Sequence, residues 1–179
     1  MDSERIDDHL LLERFRQGDR DALASLYRNH HQAVFRFALY MTDDADASAE
    51  VVQETFLWLI HHPAAFDPGR GSLRAFLSGI ARKKLQHRTR DRRRFEPLSP
   101  ALLQSVAAGG APDESRDLRQ AIAGLPEVYR EAVVLCGIEE KSYEEAAAIL
   151  DCAVGTVRSR LHRGKEQLAR ILNKEATHA

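Results

Sequence analysis

Cysteine is nearly absent: the 179 residues include two, Cys136 and Cys152, and they do not stand in CxxC spacing. That excludes a disulfide framework and a four-thiolate metal centre, and with no secretory segment both read as reduced intracellular thiols filling small core positions. No apolar run approaches the roughly 20 residues needed to span a bilayer. The opening MDSERIDDH is acidic, where a signal peptide would be basic and then apolar. The expectation is a cytoplasmic protein without membrane insertion. Glycine-rich phosphate loops, GxSxG and HExxH are all missing, so no catalytic residue and no cofactor is expected, and the chain reads as no enzyme. The histidine pairs His30–His31 and His61–His62 point about 100° apart on a helix and lack a further ligand at metal spacing. No metal site is expected.

Net charge is also lacking. Lys and Arg number 26 against 27 Asp and Glu, so bulk charge names no partner. The distribution does. Residues 1–60 hold twelve acids and six bases, residues 82–94 eight bases and one acid, and residues 158–174 six bases and one acid. Two basic blocks in a neutral chain point to polyanion contact at two places.

What is abundant is helical periodicity, with no convincing β alternation. A first helix covers about 8–17 and Gly18 closes it. Asp19 caps a second, whose stripe Leu23, Leu26, Tyr27, Val34, Phe37, Ala38 and Met41 is buried. A third runs from about Ala47 to His61, before Pro63. The loop AAFDPGRG follows, with Ser72 as N-cap of a fourth helix to about Arg94. That helix is apolar on one side through Leu73, Phe76, Leu77, Ile80 and Leu85, then basic all round until Phe95. A helix that loses its apolar stripe has left the core, and cations this dense exceed what capping of a helix dipole needs. Residues 95–113 carry three prolines and almost no charge, and read as a flexible linker. Helices resume at about 114–123, from Pro126 through Cys136, at 142–150 with Ser142 and Glu145 as a capping box, and at 155–173. The fold class is all-α, in two small helical domains over 1–94 and 114–179.

The last two helices have helix-turn-helix spacing. Ala147 takes the close-approach position, the turn lies near Asp151–Ala153, and Val157, Leu161, Gly164, Leu168 and Ile171 face inward. Thr156, Arg158, Ser159, Arg160, Arg163 and Lys165 face outward, as groups that read a major groove and its flanking phosphates. Asp151 stands where glycine is commoner, and Asp tolerates the left-handed conformation the turn requires.

YEEAAAILDCAVGTVRSRLHRGKEQL, after LPEVYREAVVL, resembles region four of the bacterial extracytoplasmic-function (ECF) sigma factors. GDRDALASLYRNHHQAVFRFAL, VVQETFLWLI and FDPGRGSLRAFLSGIARKK resemble region two, in the family's order. The resemblance implies a subunit that binds RNA polymerase core and directs it to promoters, region two engaging the minus-ten element and region four reading the minus-thirty-five element. Glu50, Gln53, Glu54 and Leu57 on one face of the third helix would then meet the clamp helices of the largest polymerase subunit, while Val52, Phe56, Leu59 and Ile60 form the core face. Phe66, Arg70, Arg82, Lys83, Arg90, Arg92, Arg93 and Arg94 would contact promoter DNA, an aromatic at Phe66 or Phe76 stacking on an unpaired base. Trp58 reads as structural.

The chain also departs from the pattern. The usual Asp-Ala-Glu-Asp before QETF reads Ala47-Ser48-Ala49-Glu50, and the customary Asn, Asp and Trp of the fourth helix are Lys83, His87 and Phe76. A phosphate on Ser48 would add about −1.5 to −2 charge and replace the missing acids. An anti-sigma factor or a Ser/Thr kinase is thus an expected controlling partner. Two rival readings stand beside this one: a stand-alone helix-turn-helix regulator, and a phosphodiesterase with Asp43, Asp44 and Asp46 as metal ligands.

Overall fold

Caps divide the chain nearly where the periodicity places them. The computed structural model describes residues 2–95 and 114–176, with side chains over 8–89 and 116–173. Helix α1 (Asp2–Arg16) ends as Gly18 turns to φ +94°, which a Cβ would disfavour. The Asp19 carboxylate accepts the N–H groups of Asp21 and Ala22 at 2.9 and 3.2 Å and starts α2 (Arg20–Thr42). Asp44 caps α3 (Ala45–His61) by accepting from Ala47 N at 2.9 Å. The helix therefore begins two residues before its expected start. Short 3-10 turns at Pro63–Ala65 and Pro68–Arg70 lead to α4 (Leu73–Phe95), where Ser72 Oγ accepts from Ala75 N at 3.2 Å.

Helices α1–α4 enclose a core in which Leu12, Leu26, Phe37, Val51, Leu59 and Leu77 are fully buried. Each such side chain contributes about 1.5–3 kcal/mol relative to exposure. One core expectation is corrected here. Ile60 is 38% exposed, and Ser48, Val51 and Thr55 are buried with Val52, Phe56 and Leu59. The buried face of α3 is thus rotated from the expected one.

Phe95 still belongs to α4, and the rest of the expected linker lies outside the described residues. Beyond it come α5 (Glu114–Ala123), α6 (Glu127–Val133), a π-turn at Val134–Ile138, α7 (Tyr143–Leu150) and α8 (Val154–Ala176). The helix expected through Cys136 thus changes to π geometry at Val134. Cys136 lies in that turn, and burial pushes its thiol up from the ordinary value. Gly164 lets α8 approach α6: a Cβ there would lie 2.6 Å from Val133 Cγ2 and 3.2 Å from Tyr129 O. Among the described residues there is no strand.

The two groups of helices touch. α4 packs on α7, and α2 packs on α5 and the π-turn.

Candidate nucleic-acid interface

The helix-turn-helix forms because local chemistry supports every joint. Ser142 Oγ accepts from Glu145 N, while the Glu145 carboxylate accepts from Ser142 N, both at 3.1 Å. Asp151 ends α7 in the left-handed region at φ 52°, and Cys152 N donates to Ala147 O at 3.1 Å. Val157 and Leu161 are buried against the hairpin, and Leu168 and Ile171 pack beside them. Arg158, Ser159, Arg163 and Lys165 are exposed, and Thr156 and Arg160 half-buried. The Arg158 guanidinium lies 5.4 Å from the centroid of the Tyr143 ring, a cation–π distance. Ser159 Oγ donates to Thr156 O at 2.9 Å. The six expected residues therefore flank the buried stripe of α8, Thr156, Ser159, Arg160 and Arg163 on one side of it and Arg158 with Lys165 on the other.

On the first domain the expected set divides. Lys83 and Arg70 are exposed. Arg82 is not: it pairs with Glu131 of α6, Nε to Oε1 at 2.6 Å, and also donates to Ile149 O at 3.3 Å. In this arrangement it faces protein. Phe66 is corrected too. It is 6% exposed, its ring packs 5.4 Å from that of Phe76, and Arg16 donates to its carbonyl at 3.0 Å. It forms a wall of the domain rather than a free stacking surface. Arg90, Arg92, Arg93 and Arg94 lie on α4, with side chains outside those described. Trp58 stacks on His62 at 4.4 Å and lies 6.0 Å from Phe76, as a structural aromatic does.

On α3, Gln53 and Leu57 are exposed, Leu57 beside Ile60. Glu50 and Glu54 are already engaged within the domain. Both pair with Arg88, and Lys84 Nζ lies 3.9 Å from Glu54. Ser48, the expected modification site, is covered in this arrangement. The residue is 0% exposed, and its Oγ donates to Asp44 O at 2.6 Å with Thr42 Oγ1 at 3.2 Å. A kinase cannot reach that hydroxyl, and a phosphate has no room there, without opening the start of α3.

The structure adds polar groups that the sequence reading missed. Glu139, buried at the π-turn, takes Arg36 Nε at 2.7 Å and Arg74 Nη2 at 2.8 Å. The hydrogen bond to the Glu139 carboxylate holds Arg36 above the usual arginine range. Ser72 donates to Glu145 at 3.2 Å, and Arg130 Nη1 donates to Met41 O at 2.7 Å. Burial opposes ionisation of Glu145, yet its hydrogen bonds from Ser142 and Ser72, with Lys141 nearby, hold it below the usual value. The available signal was an isolated acid, Glu131, inside the apolar run VYREAVVL. Asp43, Asp44 and Asp46 do not converge on a metal position: Asp43 pairs with Arg119 at 3.4 Å, and Asp44 caps α3.

Comparison with known proteins places these surfaces in a family. Residues 26–95 match the model for Sigma-70 region 2, and residues 115–168 that for Sigma-70, region 4. The chain is 34% identical to the ECF RNA polymerase sigma factor SigE of Mycolicibacterium smegmatis over 89% of its length. It is 36% identical to the ECF RNA polymerase sigma factor EcfG of Rhodopseudomonas palustris, over 76% of this chain and 77% of EcfG. It belongs to the ECF sigma factors. This sigma factor spans 66% of SigE's own length, just under two thirds. It is 32% identical to the RNA polymerase sigma factor CarQ of Myxococcus xanthus, over 91% of this chain and 96% of CarQ. Its fold is similar to that of the sigma factor RpoE of Bartonella quintana in complex with the anti-sigma factor NepR, with a TM-score of 0.68 and 28% identity. That match covers 84% of this chain and 96% of RpoE. A stand-alone helix-turn-helix regulator is not favoured, since the chain matches both sigma regions in order. The sigma factor has, among its described residues, no helix long and apolar enough to cross a membrane.

Proposed function

We propose that this chain is an alternative sigma factor that binds RNA polymerase core and directs it to its promoters. The observation that carries the reading is the exposed basic side of α8, set beyond the left-handed Asp151 turn in a chain that also holds region two. Arg158, Ser159, Arg160 and Arg163 would enter the minus-thirty-five major groove, with Thr156 and Lys165 at the phosphates. Lys83, Arg70 and the basic end of α4 would hold the minus-ten region. Gln53, Leu57 and Ile60 offer polymerase an apolar strip, with Glu50 and Glu54 available once Arg88 is drawn to DNA. The chain supplies no catalytic group in this reading, and the polymerase does the chemistry in the cytoplasm.

The inter-domain pairs favour a closed resting arrangement. Glu131 and Glu139 occupy arginines of the first domain as phosphates would, so promoter binding and domain closure compete. An anti-sigma factor, such as the NepR bound to the Bartonella RpoE, would act on the same balance. The test is run-off transcription by purified core polymerase with and without the chain, on a promoter library. Promoter-specific transcripts that need the chain are expected. Specific DNA binding without any effect on core polymerase would point instead to a stand-alone regulator.

A further inference from the structure

Where the two domains meet lies a cavity of about 520 Å³, within the range of sites for small organic ligands. Trp58, Phe66 and Phe76 from the first domain and Ile149 from α7 line it. The rings form one cluster, Phe66 at 5.4 Å and Trp58 at 6.0 Å from Phe76, centroid to centroid. Two cations also reach it. Arg70 and Lys83 line it and are exposed, and neither has a hydrogen-bond or ion-pair partner among the described residues. Its two carboxylates form no ion pair with either of them. Asp67 accepts from Gly69 N at 2.9 Å, and Glu145 is committed to Ser142 and Ser72.

Aromatic walls reward burial of a flat apolar body, and unpaired cations beside them reward an anionic head group. We infer that this cavity binds a small amphipathic organic anion, an aromatic carboxylate by chemical class. Because α7 supplies Glu145, Ala148 and Ile149 and the first domain the rest, the complete site exists only when the domains are closed. A ligand that binds one arrangement shifts the population toward it. On the reading above, in which this loop and α4 hold minus-ten DNA, the ligand would oppose promoter binding.

The probe is 1-naphthoate, titrated calorimetrically into the full chain without DNA or polymerase. Saturable binding of one probe per chain is expected, with a raised melting temperature. Ala148→Trp fills the cavity from an exposed position and should abolish both effects while leaving the fold intact by circular dichroism. Lys83→Gln should weaken naphthoate roughly tenfold, as loss of a charge-assisted contact does, and leave the neutral analogue 1-naphthalenemethanol unchanged. No saturable binding, or equal binding by Ala148→Trp, overturns the site. Failure of the chain to support transcription without the probe would overturn the sigma-factor reading and leave the binding result standing.

Discussion

Arg82 of α4 and Glu131 of α6 form an ion pair across the two domains, 2.6 Å long, with side chains 15% and 3% exposed. The same guanidinium reaches Ile149 O, so one residue ties α4 to both α6 and α7. A buried pair of this kind adds little net stability, because desolvation offsets the attraction, but removing one partner leaves a charge stranded. The arginine that the family resemblance assigns to DNA thus meets a carboxylate where a phosphate would sit.

Glu131→Ala should therefore loosen closure and free Arg82. The expected result is a destabilisation of about 3 kcal/mol by calorimetry, together with tighter binding of promoter fragments by fluorescence anisotropy. Weaker DNA binding by a folded variant would show that closure does not compete with DNA.

On α8, two substitutions should differ in kind. Arg160→Ala is expected to cost ~1–3 kcal/mol and to relax specificity at one base position. Lys165→Ala should weaken all sequences alike and reduce the salt slope by about 0.9. Equal, sequence-independent losses would remove the base-reading role of Arg160.

Burial of Ser48 reverses what its place in the acidic signature implies. Ser48→Glu should lower the melting temperature, since a carboxylate replaces a buried hydroxyl that donates to Asp44 O, and should not tighten binding to core polymerase. Ser48→Ala should cost about 1 kcal/mol, one hydrogen bond. A stable Ser48→Glu variant that binds polymerase more tightly than wild type would restore the phosphorylation switch.

Acidification should act through Glu145. Its folded-state pKa is lowered, so its contribution is fully present above the ordinary carboxylate value and is lost as pH falls through the lowered one. Glu145→Gln should flatten the acid limb of the stability curve measured by chemical denaturation. An unchanged acid limb would mean that other carboxylates set it.

The legible part of this protein is the local part. Asp19, Ser142 with Glu145, and Asp151 satisfy backbone groups within a few residues of themselves, and the stripe from Val157 to Ile171 repeats every three or four positions. Such interactions are closed within one or two helical turns, so residue order alone determines the helices, their caps, the helix-turn-helix and the family. The tertiary structure decided which faces are covered. Ile60 and Leu57 stay exposed on their side of α3, while Ser48 and Phe66 are buried. Arg82 finds Glu131 49 residues away, and the cavity between Phe76 and Ile149 exists only where α4 and α7 meet. A helix pattern records that a face is apolar or charged; which partner lies against it depends on how distant helices pack, and periodicity carries no term for that.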